Sequence, residues 1–234
     1  MSHQNSPQPN SRKSTFVVLL SLIVILGILF GLNSLLVEQN KSDTQTINSL
    51  ENDFYLKGDP QAKVRLVEYA DFQCPACKFY SGVLKKLYQE INDQYGSSSL
   101  SIAYKHFPLI QIHKNAFQAA YAAEAALKQG KFWEMHDLIF EKQADWSEQL
   151  DARSIFETYA MSLGLDLNQF RLDRDSEETQ NKVSQAYKEG VRIGLSYTPT
   201  IFLNGSKVTN QDGYEGLKAA ILEKLNLASS TVKE

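Results

Sequence analysis

A short run of β-formers that breaks into a helical period at a pair of cysteines, residues 64–80 (VRLVEYADFQCPACKFY), constrains this chain more than any other stretch. Leu66, Val67 and Tyr69 have the pattern of a buried strand. From Cys77 onward the period changes. Phe79, Val83, Leu84, Leu87, Tyr88, Ile91 and Tyr95 recur at three- and four-residue steps, which predicts one apolar helix face stopping at Gly96. Cys74-Pro75-Ala76-Cys77 therefore sits where a strand hands over to a helix.

That position has chemical consequences. Unpaired backbone N–H groups and the positive end of the helix dipole stabilise a thiolate over a thiol. The ordinary thiol pKa of about 8.5 falls by one to several units in such settings. Cys74, at the helix mouth, is expected to be the exposed, attacking sulfur and Cys77, one turn in, the shielded resolving thiol. Pro75 suits a first helical turn, where a missing N–H costs nothing. Phe72 and Pro75 are expected to wall the sulfur with apolar surface, with Ala76 completing the turn.

Three blander readings compete with a redox pair. A structural disulfide would close a loop so short that it restrains the unfolded chain least of all. A zinc site needs four ligands, and the four histidines (His3, His106, His113, His136) include no closely spaced pair to complete one. No metal is therefore expected. Two inert core thiols are the third alternative.

The chain of 234 residues is ample for a sizeable core. Its net charge of −3 and the lack of a basic stripe argue against nucleic acid as a partner. Residues 1–15 are a polar N-terminal tail expected to be disordered. Residues 16–37 (FVVLLSLIVILGILFGLNSLLV) run 22 residues without a charge, long enough to cross a bilayer. Arg12 and Lys13 precede that run, so the positive-inside rule puts the N-terminus in the cytoplasm and the rest outside. No small-x-small cleavage site follows, which favours an uncleaved anchor over a removed signal. Gly27 and Gly31 form a G-x-x-x-G that could pair two such helices in a homodimer.

Residues 38–57 read as a tether, and Lys57-Gly58-Asp59-Pro60 as the turn opening the folded part. Residues 100–107 predict a second strand. Helices are expected over 113–128, 132–141, 151–163 and 177–193, with a short helical turn at 166–171. The alanine run at 119–126 marks a close helix–helix contact. Trp133, Met135, Leu138, Ile139 and Phe140 are expected in the core, and His113 and His136 as packing or surface residues. Ile201-Phe202-Leu203, Asn204-Gly205 and Ser206-Lys207-Val208-Thr209 give a two-residue hairpin signal. Leu217, Ile221, Leu222 and Leu225 predict a closing amphipathic helix. Residues 58–107 and 195–226 thus form two halves of one α/β domain, interrupted by helices at 108–194 and followed by a polar tail at 227–234.

This order and its motifs resemble the DsbA-like thiol:disulfide oxidoreductases, a thioredoxin-like fold with an inserted α-helical domain, and among them the membrane-anchored or secreted branch. The carrying residues are Gly58-Asp59-Pro60, the run from Val67 to Cys77, the run from Gln129 to Leu138, and Thr198-Pro199-Thr200 before Ile201-Phe202-Leu203-Asn204-Gly205. The resemblance implies that Thr198-Pro199 is a cis peptide lying against the cysteine turn, its bared backbone open to an extended substrate. It further implies that Glu68 is a buried acid exchanging a proton with Cys77. The residue types alone leave a surface carboxylate equally open. Two departures stand out. Ala76 replaces the histidine that strongly oxidising members often carry, which predicts a milder oxidant. Tyr197 replaces the usual glycine before Thr-Pro, which reshapes the substrate groove.

The expected activity is extracytoplasmic transfer of disulfides to reduced or misoxidised proteins through Cys74 and Cys77, with no cofactor beyond that pair. A quinone-linked membrane partner that drains the electrons is implied by the resemblance alone. The same residues serve a reductase or isomerase, since direction depends on reduction potential. A rival from another class is a non-catalytic chaperone or binding module that grips unfolded chains through an apolar groove.

Overall fold

In the computed structural model of the protein the described residues are 25–28, 30–31, 55–208 and 213–230. Two compact units divide the chain, residues 1–45 and 46–234. In the first, residues 25–28 and 30–31 are helical. The rest of the expected 16–37 span lies outside the described residues, as do the tail at 1–15 and the tether up to residue 54. Among the described residues, no helix is long and apolar enough to cross a membrane.

The second unit is built on a five-stranded sheet of order β1-β3-β2-β4-β5. Its strands are β1 (Leu56–Lys57), β2 (Val64–Ala70), β3 (Leu100–His106), β4 (Thr200–Leu203) and β5 (Ser206–Val208). Strand β2 is central. It pairs parallel with β3 from Val64↔Leu100 to Ala70↔His106, and antiparallel with β4 from Leu66↔Leu203 to Tyr69↔Thr200. Burial on both faces explains why β2 reads as a nearly continuous apolar run. Its alternate side chains then divide between two layers.

On one face, Val64 and Leu66 meet Tyr80, Val83, Leu84, Leu87 and Ile91 of α1 (Pro75–Tyr95) and Leu217, Ile221 and Leu225 of α8 (Gly213–Ser230). On the other, Val67 and Tyr69 pack with Ala103, Phe107, Leu195 and Phe202. Helix α7 (Glu177–Arg192) closes this second face, with Tyr187 stacked on Phe107 at 5.2 Å. Gly190 makes that approach possible, because a Cβ there would come within 2.5 Å of the Phe107 ring.

Between β3 and β4 run α2 (Ala116–Lys128), α3 (Phe132–Glu141), α4 (Gln143–Trp146), α5 (Arg153–Ser162), α6 (Leu167–Asp175) and α7. Their core joins the alanines of α2 to Trp146, Phe156 and Phe170, all fully buried. The alanines let helices approach closely, as the run at 119–126 suggested.

Several expectations need correction. Phe79 and Tyr95 are 60% and 47% exposed rather than part of the buried face of α1. Phe79 lies off the stripe through Cys77, Tyr80, Leu84, Leu87 and Ile91, and Tyr95 is in the last turn. Leu56 and Lys57 are a strand paired antiparallel with β3, not tether. Two residues carry no periodic signal, so only their partner defines them. Helix α4 was not foreseen, and α6 is longer than a turn, its start fixed by the Asp166 carboxylate accepting from the Gln169 N–H. The hairpin turn falls at Asn204 and Gly205, with φ of 48° and 80° as a type I′ turn requires. Asn204 also locks the turn to the sheet by accepting from the Arg65 N–H at 2.7 Å.

Candidate active site

The site begins at the end of β2. Strand pairing stops after Ala70, and Asp71 turns the chain. Its carboxylate accepts from the Gln73 N–H at 2.7 Å and its carbonyl from the Cys74 N–H at 3.1 Å. The same carboxylate accepts from the Leu109 N–H at 2.8 Å and meets His113 Nδ1 at 2.7 Å. One fully buried side chain therefore ties the cysteine turn to the segment after β3. Cys74 is the N-cap of α1 and Pro75 opens its first turn.

The helical insert holds the turn from the other side through side-chain amides. Gln143 Nε2 donates to the carbonyls of Phe72 at 2.7 Å and Cys74 at 3.0 Å. Gln73 Nε2 donates to the Ser147 carbonyl, and Gln73 Oε1 accepts from the Asn115 N–H. Sequence reasoning missed Gln73, Asn115, Gln143 and the Asp71–His113 pair as positioning groups. Two polar residues, Asp71 and Gln73, in the short entry between an apolar strand and the cysteines were the available signal.

Both cysteines are free thiols, and their environments differ. Cys74 is 7% exposed and Cys77 is wholly buried. The expectation of an exposed attacking sulfur is thus corrected to one that barely reaches the surface, because the 197–199 loop lies over it. The Cys74 Sγ is 3.6 Å from the Thr198 carbonyl oxygen. The hydrogen bond from Cys77 is the main influence holding the Cys74 pKa down to about 5. Burial opposes it, while Thr198 and the N–H groups of Cys77 and Ala76 assist. Those N–H groups are the free donors of the first helical turn. Burial drives Cys77 the other way, well above an ordinary thiol, and the Cys74 charge adds to that rise. Two identical side chains one turn apart are thereby set to different protonation states.

Glu68 lies on the central strand between Tyr104 and Ile201, 2% exposed. Burial, then the charge on Cys74, raises its carboxyl to about 8. Of the two placements left open by the residue types, the structure has the buried one. Phe72 is buried among Tyr104, His136 and Phe140, in the same apolar cluster as Cys74 and Cys77, so its wall lies on the inner side of the turn. Pro75 and Ala76 are exposed. Thr198–Pro199 is cis. Tyr197 is 47% exposed with Lys207 Nζ 4.7 Å from its ring centroid. His113 is not merely a packing residue, since Asp71 holds it beside the turn and raises its pKa. His136 is buried among aromatic rings. Among the described residues no cluster of metal-binding side chains occurs.

Chemically, this is a dithiol with one ionised sulfur at a helix mouth and a proton-bearing partner beneath it. A thiolate that also leaves readily is suited to making and breaking mixed disulfides. The redox group is the cysteine pair itself.

Comparison with known proteins agrees with that reading. A family model described as thioredoxin matches residues 51–223. The chain is 36% identical over 159 residues to the Na(+)/H(+) antiporter NhaA 1 of Mycolicibacterium gilvum, a match covering 65% of this chain and 24% of that protein. It thus spans about a quarter of the length of such relatives. Oxidised BdbD from Bacillus subtilis superposes with a TM-score of 0.64 at 25% identity, covering 74% of this chain and 92% of BdbD. Alpha-DsbA1 of Wolbachia pipientis gives 0.67 at 19% identity over 78% and 95% of the two chains, a likeness of fold. With the family model covering the whole sheet and its helical insert, the chain belongs to the thioredoxin family, and its fold is that of DsbA-type proteins.

Proposed function

We propose that this protein disulfide oxidoreductase works outside the cytoplasm and donates disulfides to reduced proteins. The observation that carries the reading is the opposition between Cys74, held near pKa 5, and Cys77, pushed well above 9. A low pKa at Cys74 stabilises the reduced enzyme and makes Cys74 a good leaving group, and both effects favour giving the disulfide away. A substrate thiolate attacks Cys74 in the oxidised protein, and Cys77 leaves as a thiolate that takes a proton. The second substrate thiolate then attacks its own sulfur in the mixed disulfide. The substrate leaves oxidised, and Cys74 and Cys77 are left reduced. Thr198 beside the sulfur offers backbone to an extended client, and Tyr197 shapes the groove around it.

The charge-free run at 16–37 supports a single-pass anchor with the catalytic unit outside. Gly27 and Gly31 supply the contact should two anchors pair. A membrane partner that reoxidises the dithiol, linked to quinone, completes the cycle.

Equilibration in glutathione buffers tests the direction. A potential above about −200 mV supports donation, whereas one near the thioredoxin value of about −270 mV points to reduction. Oxidation of unfolded ribonuclease, lost in Cys74→Ser, tests catalysis itself. Client binding that survives loss of both cysteines, with no mixed disulfide formed, would instead favour a binding module.

A further inference from the structure

Glu68, whose charge helps to raise the Cys77 pKa, also borders a small cavity of about 20 Å³, lined in addition by Lys57 of β1, Lys85 of α1, and Trp133, His136 and Asp137 of α3. That volume is room for about one water molecule. Three of these residues carry a buried polar atom with no hydrogen-bond partner inside the protein: Glu68 Oε1, Trp133 Nε1 and His136 Nε2. Glu68 and His136 are 2% and 4% exposed. Buried polar atoms are nearly always satisfied, so three around one water-sized space mark a hydration site rather than a packing fault.

The chemistry around that space is ordered. Burial lowers the His136 pKa, so its ring is neutral. Its Nδ1 lies 3.0 Å from Asp137 Oδ1. Burial alone would raise the Asp137 carboxyl, but hydrogen bonds from His136 and Lys85 outweigh it and hold the pKa at about 2. An ionised acceptor at Nδ1 assigns the ring hydrogen to that nitrogen and leaves a lone pair on Nε2. Asp137 in turn pairs with Lys85 at 2.7 Å, and the Lys85 side chain is 54% exposed. An acid, a water-sized space, a base and a solvent-exposed ion pair thus occur side by side.

We propose that Glu68, a water held in this cavity and His136 form the path by which Cys77 exchanges its proton with solvent, with Trp133 donating to that water and Asp137 holding His136 in the receiving tautomer. The inference rests on the disulfide-exchange reading and deepens it. When Cys77 attacks a mixed disulfide at Cys74, its proton passes to the Glu68 carboxylate. The new Cys74–Cys77 bond forms, and the substrate leaves as a thiolate that carries the electron pair of the broken bond. Glu68 must shed a proton before it can accept this one. It does so through the water to His136 Nε2, and the imidazolium releases a proton at Nδ1 toward Asp137 and solvent. In the opposite direction Cys77 leaves as a thiolate, takes the Glu68 proton, and the path refills the carboxyl. The titratable groups around Glu68 and the cavity are Cys74 at the N-cap of α1, Cys77, Lys85 and Tyr88 of α1, Tyr104 of β3, Lys57 of β1, and His136 and Asp137 of α3, while β4 sets Ile201 opposite Glu68.

His136 is a positioning and relay residue, and quenched-flow mixing of the reduced full-length protein with glutathione disulfide tests it. That experiment separates formation of the mixed disulfide at Cys74 from its resolution by Cys77. His136→Phe and His136→Gln are expected to slow resolution at least about tenfold at neutral pH, a general acid–base effect. The first step should keep its wild-type rate. Resolution within twofold of wild type in both variants from pH 5 to 9 would overturn the path and leave the oxidoreductase reading standing. A wild-type protein that forms no mixed disulfide would overturn both. Should the His136 variants fail to fold, Trp133→Phe removes the indole N–H while keeping an aromatic ring at that position. The infrared carbonyl band of protonated Glu68, identified by its loss in Glu68→Gln, should shift in that variant, and an unmoved band overturns the shared water.

Discussion

At the scale of single residues, the site is three titratable groups moved from their ordinary pKa values by different causes. Cys74 is lowered to about 5, chiefly by the Cys77 hydrogen bond. Alkylation of the reduced protein by iodoacetamide should therefore be half-maximal near pH 5, against about 8.5 for a free thiol, with Cys77 unreacted. Glu68 moves the other way, from 4.5 to about 8, through burial. The reduced native state then holds a proton that the unfolded chain has released, so stability falls as pH rises from about 4.5 through about 8. Glu68→Gln carries no charge at any pH. It is expected to melt with wild type below pH 4 and above it past pH 8, the gain reaching at most about 5 kcal/mol at 1.36 kcal/mol per pKa unit. A melting temperature for Glu68→Gln that tracks wild type across the whole range would show that the carboxyl is not buried in its charged form. The two cysteines were legible from their spacing and setting alone. His113 and His136 were not, because a lone histidine carries no pattern: His113 depends on Asp71, 42 positions away in the chain, and His136 on burial beside Glu68, and only folding supplies either.

At the scale of elements, the helix mouth matters because β2 ends and α1 begins within the turn that holds both sulfurs. The helical period of α1, apart from the exposed Phe79 and Tyr95, and the I′ signal at Asn204-Gly205 were read correctly, since both are properties of nearby residues. Strand β1, two residues long, and helix α4, four residues long, were not. Elements so short form only where a neighbour supplies partners, β3 in one case and the cysteine turn in the other. Close packing adds a constraint invisible to periodicity. At Gly190 of α7, an added methyl would fall 2.5 Å from Phe107. Gly190→Ala should cost about 1–3 kcal/mol through overpacking, despite the better helix propensity of alanine. Thermal or urea denaturation measures it, and an unchanged midpoint would mean that α7 slides away from the sheet without cost.

Across the whole molecule, a sheet supplies the strand end, α1 supplies the positive dipole, and the helical insert clamps the turn between them. Gln143 satisfies the buried Phe72 carbonyl and adds a second bond to the Cys74 carbonyl, which the Lys78 N–H also reaches, so Gln143→Ala should cost about 1–3 kcal/mol, mainly through the unpaired Phe72 acceptor. Hydrogen exchange should quicken at the 72–77 amides in that variant more than in the sheet, and uniform exchange would assign the loss to global stability instead. The sequence by itself determined the dithiol, its place at a helix start, the α/β order and the charge-free run near the N-terminus, because each is written in neighbouring residues. Only the tertiary structure decided that Glu68 is buried, that Cys74 is nearly covered and that a water-sized space joins Glu68 to His136. Burial and electrostatic field are sums over groups far apart in the chain, and no local pattern carries them.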